Sequence, residues 1–250
     1  MKAPTIHLGC AGWSVASGHP DFSRLEGTVL ERYVHRLSAV EINSSFYRPH
    51  RHSTYVRWAA STPHDFRFSV KVPKAITHTA RLQDTQEALN TFVEQVNGLG
   101  EKLGCLLVQL PPSLAFEVEV ARHFFADLRG LTTVRTVCEP RHPSWFTAEA
   151  EALLTECRVS RVAADPAPAK VGEAARRPGG DPHTVYYRWH GSPRMYYSAY
   201  PAEALAELAR EIRNRTQVQE VWVIFDNTAA GAGVDNALEL RKLLLGGATE

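Results

Sequence analysis

No run of apolar residues in this 250-residue chain approaches the roughly 20 needed to cross a bilayer, so a membrane-spanning helix is not expected. Disulfide and zinc frameworks are missing too. The four cysteines (Cys10, Cys105, Cys138, Cys157) are far apart and form no C-x-x-C pair. They fall in apolar strand or helix patterns, where a thiol is ordinarily buried and inert. Charge of one sign is not in excess either: 28 Lys and Arg stand against 27 Asp and Glu, for a net charge of +1. A nucleic-acid binder ordinarily shows a basic excess or a basic run. The nearest feature here is Arg176-Arg177 in a stretch rich in Gly and Pro. The opening Met1-Lys2-Ala3-Pro4-Thr5 leads into a strand pattern with no apolar signal region, so a cytoplasmic location is expected. Ser14, Ser44 and Ser45 lack a G-x-S-x-G elbow, which argues against a serine hydrolase.

What the chain does contain is a regular alternation. Apolar residues make up 44% and charged residues 22%, enough to bury a large core without staples. Short apolar, β-branched or aromatic runs at residues 6–11, 39–42, 66–72, 105–110, 135–138, 161–164, 185–189 and 221–225 read as strands. Amphipathic stretches at 30–37, 86–99, 118–128, 147–157, 202–213 and 236–244 read as helices, with apolar spacing such as Leu205, Leu208, Ala209 and Ile212. Strand and helix alternating eight times predict a parallel sheet with helices outside. The recurrence of eight units and the chain length favour an α/β fold of the TIM type, a (β/α)₈ barrel over residues 1–250. An open doubly wound sheet is the alternative. It ordinarily carries G-x-G-x-x-G after the first strand, and Gly9-Cys10-Ala11-Gly12-Trp13-Ser14 does not have it. Residues 166–182, rich in Ala, Pro and Gly, read as a long loop.

Both faces of a parallel barrel strand are buried, so charges there are costly unless paired or functional. This chain places them repeatedly near C-terminal strand ends: Glu41 and Asn43, Lys71, Gln109, Glu139 and Arg141, Asp165, Arg188 and His190, Asp226 and Asn227. Side-chain alternation puts Arg188 with His190 on one face, and turns Trp189 and Cys138 outward. It also pairs Ala163 with Asp165, expected to point inward. Barrel enzymes carry their sites where the strands end. A structural network of paired charges would use the same residues, and is the competing reading for any one of them. Trp13, Tyr47 and Trp145 fit packing under loops at least as well as stacking on a substrate. His50-Arg51-His52 lies where a helix should begin and reads as solvated surface.

Seven blocks of residues resemble one known family. They are Gly9-Cys10-Ala11-Gly12-Trp13-Ser14; Val40-Glu41-Ile42-Asn43-Ser44-Ser45-Phe46-Tyr47-Arg48; Phe66-Arg67-Phe68-Ser69-Val70-Lys71 with Ile76-Thr77-His78; the run from Lys102 through Gln109-Leu110-Pro111-Pro112-Ser113; Glu139-Pro140-Arg141-His142-Pro143-Ser144-Trp145-Phe146; Tyr187-Arg188-Trp189-His190-Gly191; and Phe225-Asp226-Asn227-Thr228. Together, over essentially the whole chain, they resemble the YecE-like family, a domain family of unknown function numbered 72. The resemblance implies a TIM-type barrel and no particular substrate. Two departures, Cys138-Glu139-Pro140-Arg141 and Trp189, remove no charged position.

The chemistry expected is acid–base catalysis on a small polar, anionic substrate carrying phosphate or carboxylate. Arg188 and Arg141 would hold the anion through their forked guanidinium groups. Glu139 or Glu41 would act as base, and Lys71 or His190 as acid or oxyanion partner. Asp165 joins this catalytic set, and Trp13, Asn43, Tyr47, His78, Gln109, Trp145, Asp226 and Asn227 are expected to line the substrate. No cofactor is required by this reading. The carboxylates are nevertheless hard-ligand material for a divalent metal, which would redirect the chemistry to metal-assisted hydrolysis or isomerisation. Two carboxylates could also cleave a glycosidic bond. A nucleic-acid or anion-binding module without turnover is the reading from a different class.

Overall fold

The computed structural model describes residues 3–246. Its strands are β1 (Thr5–Cys10), β2 (Ala39–Ile42), β3 (Arg67–Lys71), β4 (Leu103–Gln109), β5 (Arg135–Glu139), β6 (Val159–Arg161), β7 (Ala163–Asp165), β8 (Gly179–Gly180), β9 (Thr184–Trp189) and β10 (Glu220–Phe225). The α-helices are α1 (Val29–Tyr33), α2 (His52–Ala60), α3 (Gln86–Val96), α4 (Val118–Leu131), α5 (Ala148–Glu156), α6 (Ala202–Arg213) and α7 (Ala232–Gly246). No helix among the described residues is long and apolar enough to cross a membrane.

All pairings are parallel except the short β8, which lies antiparallel on β6. The strands form two sheets, β1-β10-β9-β7 and β2-β3-β4-β5-β6-β8. Together they give the TIM-type arrangement, in which β6 and β7 share one stave that breaks at Val162. There the chain passes from one sheet to the other: Val162 N–H still donates to Cys138 O at 2.8 Å, while Ala163 onward pairs with β9. The expected single strand at 161–164 is therefore two short ones, starting earlier and ending later.

Between β1 and β2 the ladder is replaced largely by side chains. The Tyr33 hydroxyl accepts from Cys10 N–H at 2.8 Å and donates to Ala39 O at 3.0 Å. Ser38 Oγ accepts from Leu8 N–H at 3.0 Å, and Gly12 N–H donates to Glu41 O at 2.8 Å. The two strands approach so closely that a Cβ on Gly9 would lie 1.9 Å from Ala39 O, which is why this position has no side chain.

Alternation sorts the strand residues into two cores. Ala39, Cys105, Leu107, Val137, Val162, Tyr186, Trp222 and Ile224 fill the barrel interior. Their outward neighbours, such as Val40, Leu106, Cys138, Tyr187 and Val223, pack under the helices. From α6, Leu205, Leu208, Ala209 and Ile212 reach that layer, as their spacing predicts.

Helix ends differ from expectation where local chemistry intervenes. α1 is only one and a half turns, opened by a capping box between Thr28 and Glu31. α3 stops at Val96 and continues as a 3₁₀ turn because Gly100 takes φ +55°. α7 begins four residues before the predicted 236. The loop at 166–182 holds a 3₁₀ turn at Gly172–Arg176 as well as β8.

Candidate active site

Six ionisable side chains from β2, β3, β5, β9 and β10, or from the residue just past them, meet at the C-terminal ends of the strands. Arg188, 1% exposed, is the hub. Its Nη2 lies 2.8 Å from Glu41 Oε1 and its Nε 3.0 Å from Glu41 Oε2, a bidentate fork. The remaining donors reach Glu139 Oε2 at 3.1 Å and Asp226 Oδ2 at 2.8 Å. Each carboxylate has a second partner. Tyr186 hydroxyl donates to Glu41 Oε2 at 2.9 Å, Arg141 Nη2 to Glu139 Oε1 at 2.8 Å, and His190 Nδ1 to Asp226 Oδ2 at 3.0 Å.

These pairings set the protonation states. Burial alone would raise the Glu139 carboxyl, but Arg141, Arg188 and His190 hold it well below the usual carboxylate range. Asp226 is likewise lowered, with burial outweighed by Arg188 and His190. Burial works against the Arg188 charge, yet Asp226, Glu41 and Glu139 raise it well above its ordinary value. An ionised Asp226 accepts hydrogen bonds only, so the His190 proton facing it sits on Nδ1. That leaves His190 Nε2 3.3 Å from Glu139 Oε1 but without hydrogen-bond geometry.

Lys71 behaves differently. It is 5% exposed, and its ammonium makes no ion pair with any carboxylate among the described residues; its contact is the Phe46 ring, 4.1 Å from Nζ to the centroid. Burial, then the positive charge of Arg188, push its pKa down to about 8 against the pull of Glu41, Glu139 and Asp226. The backbone there is pinned: Ser45 hydroxyl donates to Lys71 O at 2.7 Å. Just beyond β3, residues Ala75–Thr79 form a π-helical turn, a form that recurs at functional sites. It carries His78, whose ring meets the other edge of this group, 4.9 Å from Phe46. Burial, Lys71, Lys74 and Arg141 push the His78 pKa down to about 4.

A small cavity of about 150 Å³ opens beside the cluster, lined by Glu139, Arg141 and His190 together with Pro166, Pro168 and Met195. The loop after β7 thus supplies part of its wall. Arg141 spends Nε and Nη2 on Glu139, and its Nη1 makes no hydrogen bond among the described residues. Among the described residues, no three His, Cys, Asp or Glu side chains are placed to share a metal ion. Where Glu41, Glu139 and Asp226 converge, a guanidinium stands.

The structure therefore brings together Glu41, Lys71, Glu139, Arg141, Arg188, His190 and Asp226, and sets His78 beside Lys71. Gln109 lies next to Glu139 in register, its amide donating to Leu110 O at 2.9 Å. Asp165 is a correction. β7 turns it outward beside Trp189, where it pairs with Arg176 at 3.0 Å and accepts from Tyr200 hydroxyl at 2.8 Å. Arg188 is also corrected as an anion-binding fork, since its donors are taken by the protein's own carboxylates.

Several other residues expected at the substrate are engaged in the scaffold. Trp145 is buried, its indole N–H donating to Leu114 O at 3.0 Å. Trp13 packs edge-on to Trp58. Asn227 ties Ser198 O to Asn236, holding the segment after β9. Asn43 precedes the 3₁₀ turn that carries Phe46, and Tyr47 stands exposed on the rim. His50 is half-buried between Tyr55 and Trp58 rather than solvated, whereas His52 is exposed as the first residue of α2. Sequence reasoning missed Phe46 and Tyr186. The second was within reach, because it lies two residues before Arg188 and so shares its face.

The family described as "Protein of unknown function DUF72" matches residues 7–249. The chain is 32% identical over 142 residues to UPF0759 protein YecE of Escherichia coli K12; the match covers 56% of this chain and 50% of that protein. The chain thus spans about half the length of the curated relatives it matches there. A crystal structure of a DUF72 family protein from Enterococcus faecalis superposes with a TM-score of 0.82 at 23% identity, covering 96% of each chain. A xylose isomerase-like TIM barrel fused to a 4-hydroxyphenylpyruvate dioxygenase aligns over 98% of this chain and 42% of its own, with a TM-score of 0.56 at 12% identity; these two likenesses support the fold.

Proposed function

The chain belongs to the DUF72 family, and on that premise we propose that it is an enzyme performing acid–base chemistry on a small anionic substrate at the C-terminal mouth of the barrel. One observation carries this reading: beside a small cavity, the buried cluster leaves a few polar groups unspent after all its internal pairing. They are Arg141 Nη1 and His190 Nε2, on residues that line the cavity, and the Lys71 ammonium elsewhere in the cluster.

The roles follow from what each group has left to offer. Glu139 is held well below the usual carboxylate range by Arg141 and Arg188, which makes it a weak base, and Glu41 is tied up in the Arg188 fork. Proton transfer passes instead to His190, whose tautomer is fixed by Asp226 and whose Nε2, buried, has no hydrogen-bond partner. Arg141 and Lys71 supply the positive field for a carboxylate or phosphate, with Arg141 able to offer the two N–H groups of its Nη1. Arg188 acts through others: it keeps Glu139 and Asp226 ionised and holds Glu41 in place. A cavity of about 150 Å³ suits a substrate of a few carbons.

The test is a turnover screen over small phosphorylated and carboxylated metabolites, run with wild type, Arg141→Gln and His190→Gln. Arg141→Gln is expected to raise KM, and His190→Gln to lower kcat by 10²-fold or more. Turnover that both variants retain in full would refute the assignment.

A further inference from the structure

We propose that Lys71 is a nucleophile: its amine condenses with the carbonyl carbon of the substrate to form an iminium, which narrows the substrate class to small aldehydes or ketones carrying a carboxylate or phosphate. This rests on the anionic-substrate reading above and adds a covalent step to it.

The first argument is the cost of the group as found. A buried cation without a carboxylate partner is expensive. Three carboxylates lie in the same cluster, and all three are taken by Arg188, with Arg141 and His190 as further partners. Among the described residues, Lys71 is left with no carboxylate and with the Phe46 face. A salt-bridging lysine would be expected to share one of those oxygens. An amine kept apart from them, and beside a second cation, is in the setting that makes lysine a nucleophile rather than a counter-ion. With its pKa pushed down to about 8, about 10% of the amine is neutral at pH 7, against well under 0.1% for an ordinary lysine.

The second argument is charge. The ammonium, R–NH₃⁺, and a carbonyl give the iminium, R–NH⁺=C, and water. Nitrogen bonds to the carbonyl carbon, and the carbon–oxygen bond breaks. Two protons from nitrogen leave with that oxygen, and the positive charge stays where it was. Glu41, Glu139 and Asp226, which already act on Lys71, therefore stabilise the product as they do the starting ammonium. The iminium then draws electrons from the adjacent carbon, whose proton His190 Nε2 is free to accept.

The experiment is borohydride trapping on the full-length protein with pyruvate and, separately, glyceraldehyde 3-phosphate, followed by peptide mapping. Lys74, three residues away and exposed, is the internal control. The expected result is a reduced adduct on Lys71 forming at least tenfold faster than on Lys74, with a rate that climbs up to about pH 8 and then levels. Modification of Lys71 no faster than of Lys74 overturns the proposal within the wild-type protein, without relying on a variant that must fold. In parallel, thermal shift measures binding of pyruvate and inorganic phosphate. Binding that Arg141→Gln weakens, with no Lys71 adduct, removes the covalent step and leaves the anion site standing. No binding and no adduct removes both.

Discussion

Replacing Lys71 by Met measures the burial of this amine directly, through the pH dependence of stability. In the folded chain the Lys71 pKa falls from 10.5 to about 8. That displacement corresponds to roughly 3 kcal/mol of preference for the neutral form on folding. Below pH 8 the amine is protonated in both folded and unfolded chains, and the cost of burying the charge is fully present and constant. Between pH 8 and 10.5 the folded chain gives up its proton first. The unfolded chain then holds more protons, so wild-type stability rises with pH, by at most about 1.4 kcal/mol per unit. A Met has no proton to lose, and every other titrating group is common to both proteins. The quantity to measure is the wild-type unfolding free energy minus that of Lys71→Met, from urea titrations at pH 6 to 10. It is expected to be flat to about pH 7.5 and then to climb in favour of the wild type, by somewhat under 3 kcal/mol at pH 10. A difference that stays level to pH 10, or falls, would refute the buried, unpaired amine.

Four further outcomes follow from named contacts. Arg188→Lys offers one ammonium where a fork now meets three carboxylates, and is expected to cost about 3–5 kcal/mol in urea unfolding. Gly9→Ala drives a methyl into Ala39 O and is expected to lower stability by about 3 kcal/mol or more, seen as a drop in Tm. Tyr33→Phe strips Cys10 N–H and Ala39 O of their partner at the junction of β1 and β2, for an expected loss of about 1–3 kcal/mol. In an NMR titration the His78 ring is expected to stay neutral from pH 8 down to about pH 5, protonating only as pH falls through about 4; a midpoint near 6.5 would contradict its placement among Lys71, Lys74 and Arg141.

Much of the site was legible because charge at the end of an apolar strand is conspicuous. Glu41, Lys71, Glu139, Arg188, His190 and Asp226 stand out on that ground alone. Their pairing was not legible, since it depends on which strands neighbour across the barrel. That is how Arg188 was expected to bind substrate when it binds three side chains of its own protein. Asp165 failed for a different reason. In Val162-Ala163-Ala164 both faces are apolar, so the pattern carries no parity, and the structure sends Val162 and Ala164 inward. α2 begins where a helix was expected, at His52, but its length left no periodic trace because Tyr55 is its sole buried residue among the nine. Phe46 gave no sign of its role because an aromatic residue after a strand usually just packs.

The break at Val162 and the side-chain junction at Tyr33 divide the barrel into two half-shells. Glu41, Lys71 and Glu139 ride on one, while Arg188, His190 and Asp226 ride on or just beyond the other. The ion pairs from Arg188 to Glu41 and Glu139 are therefore rivets across a parting line, holding the rim together where main-chain bonding is thin. His190 meets Glu139 across the same line at 3.3 Å, and an anion that drew it away would loosen the rim there and let it widen. Occupancy of the mouth and the gape of the barrel would then be a single mechanical variable.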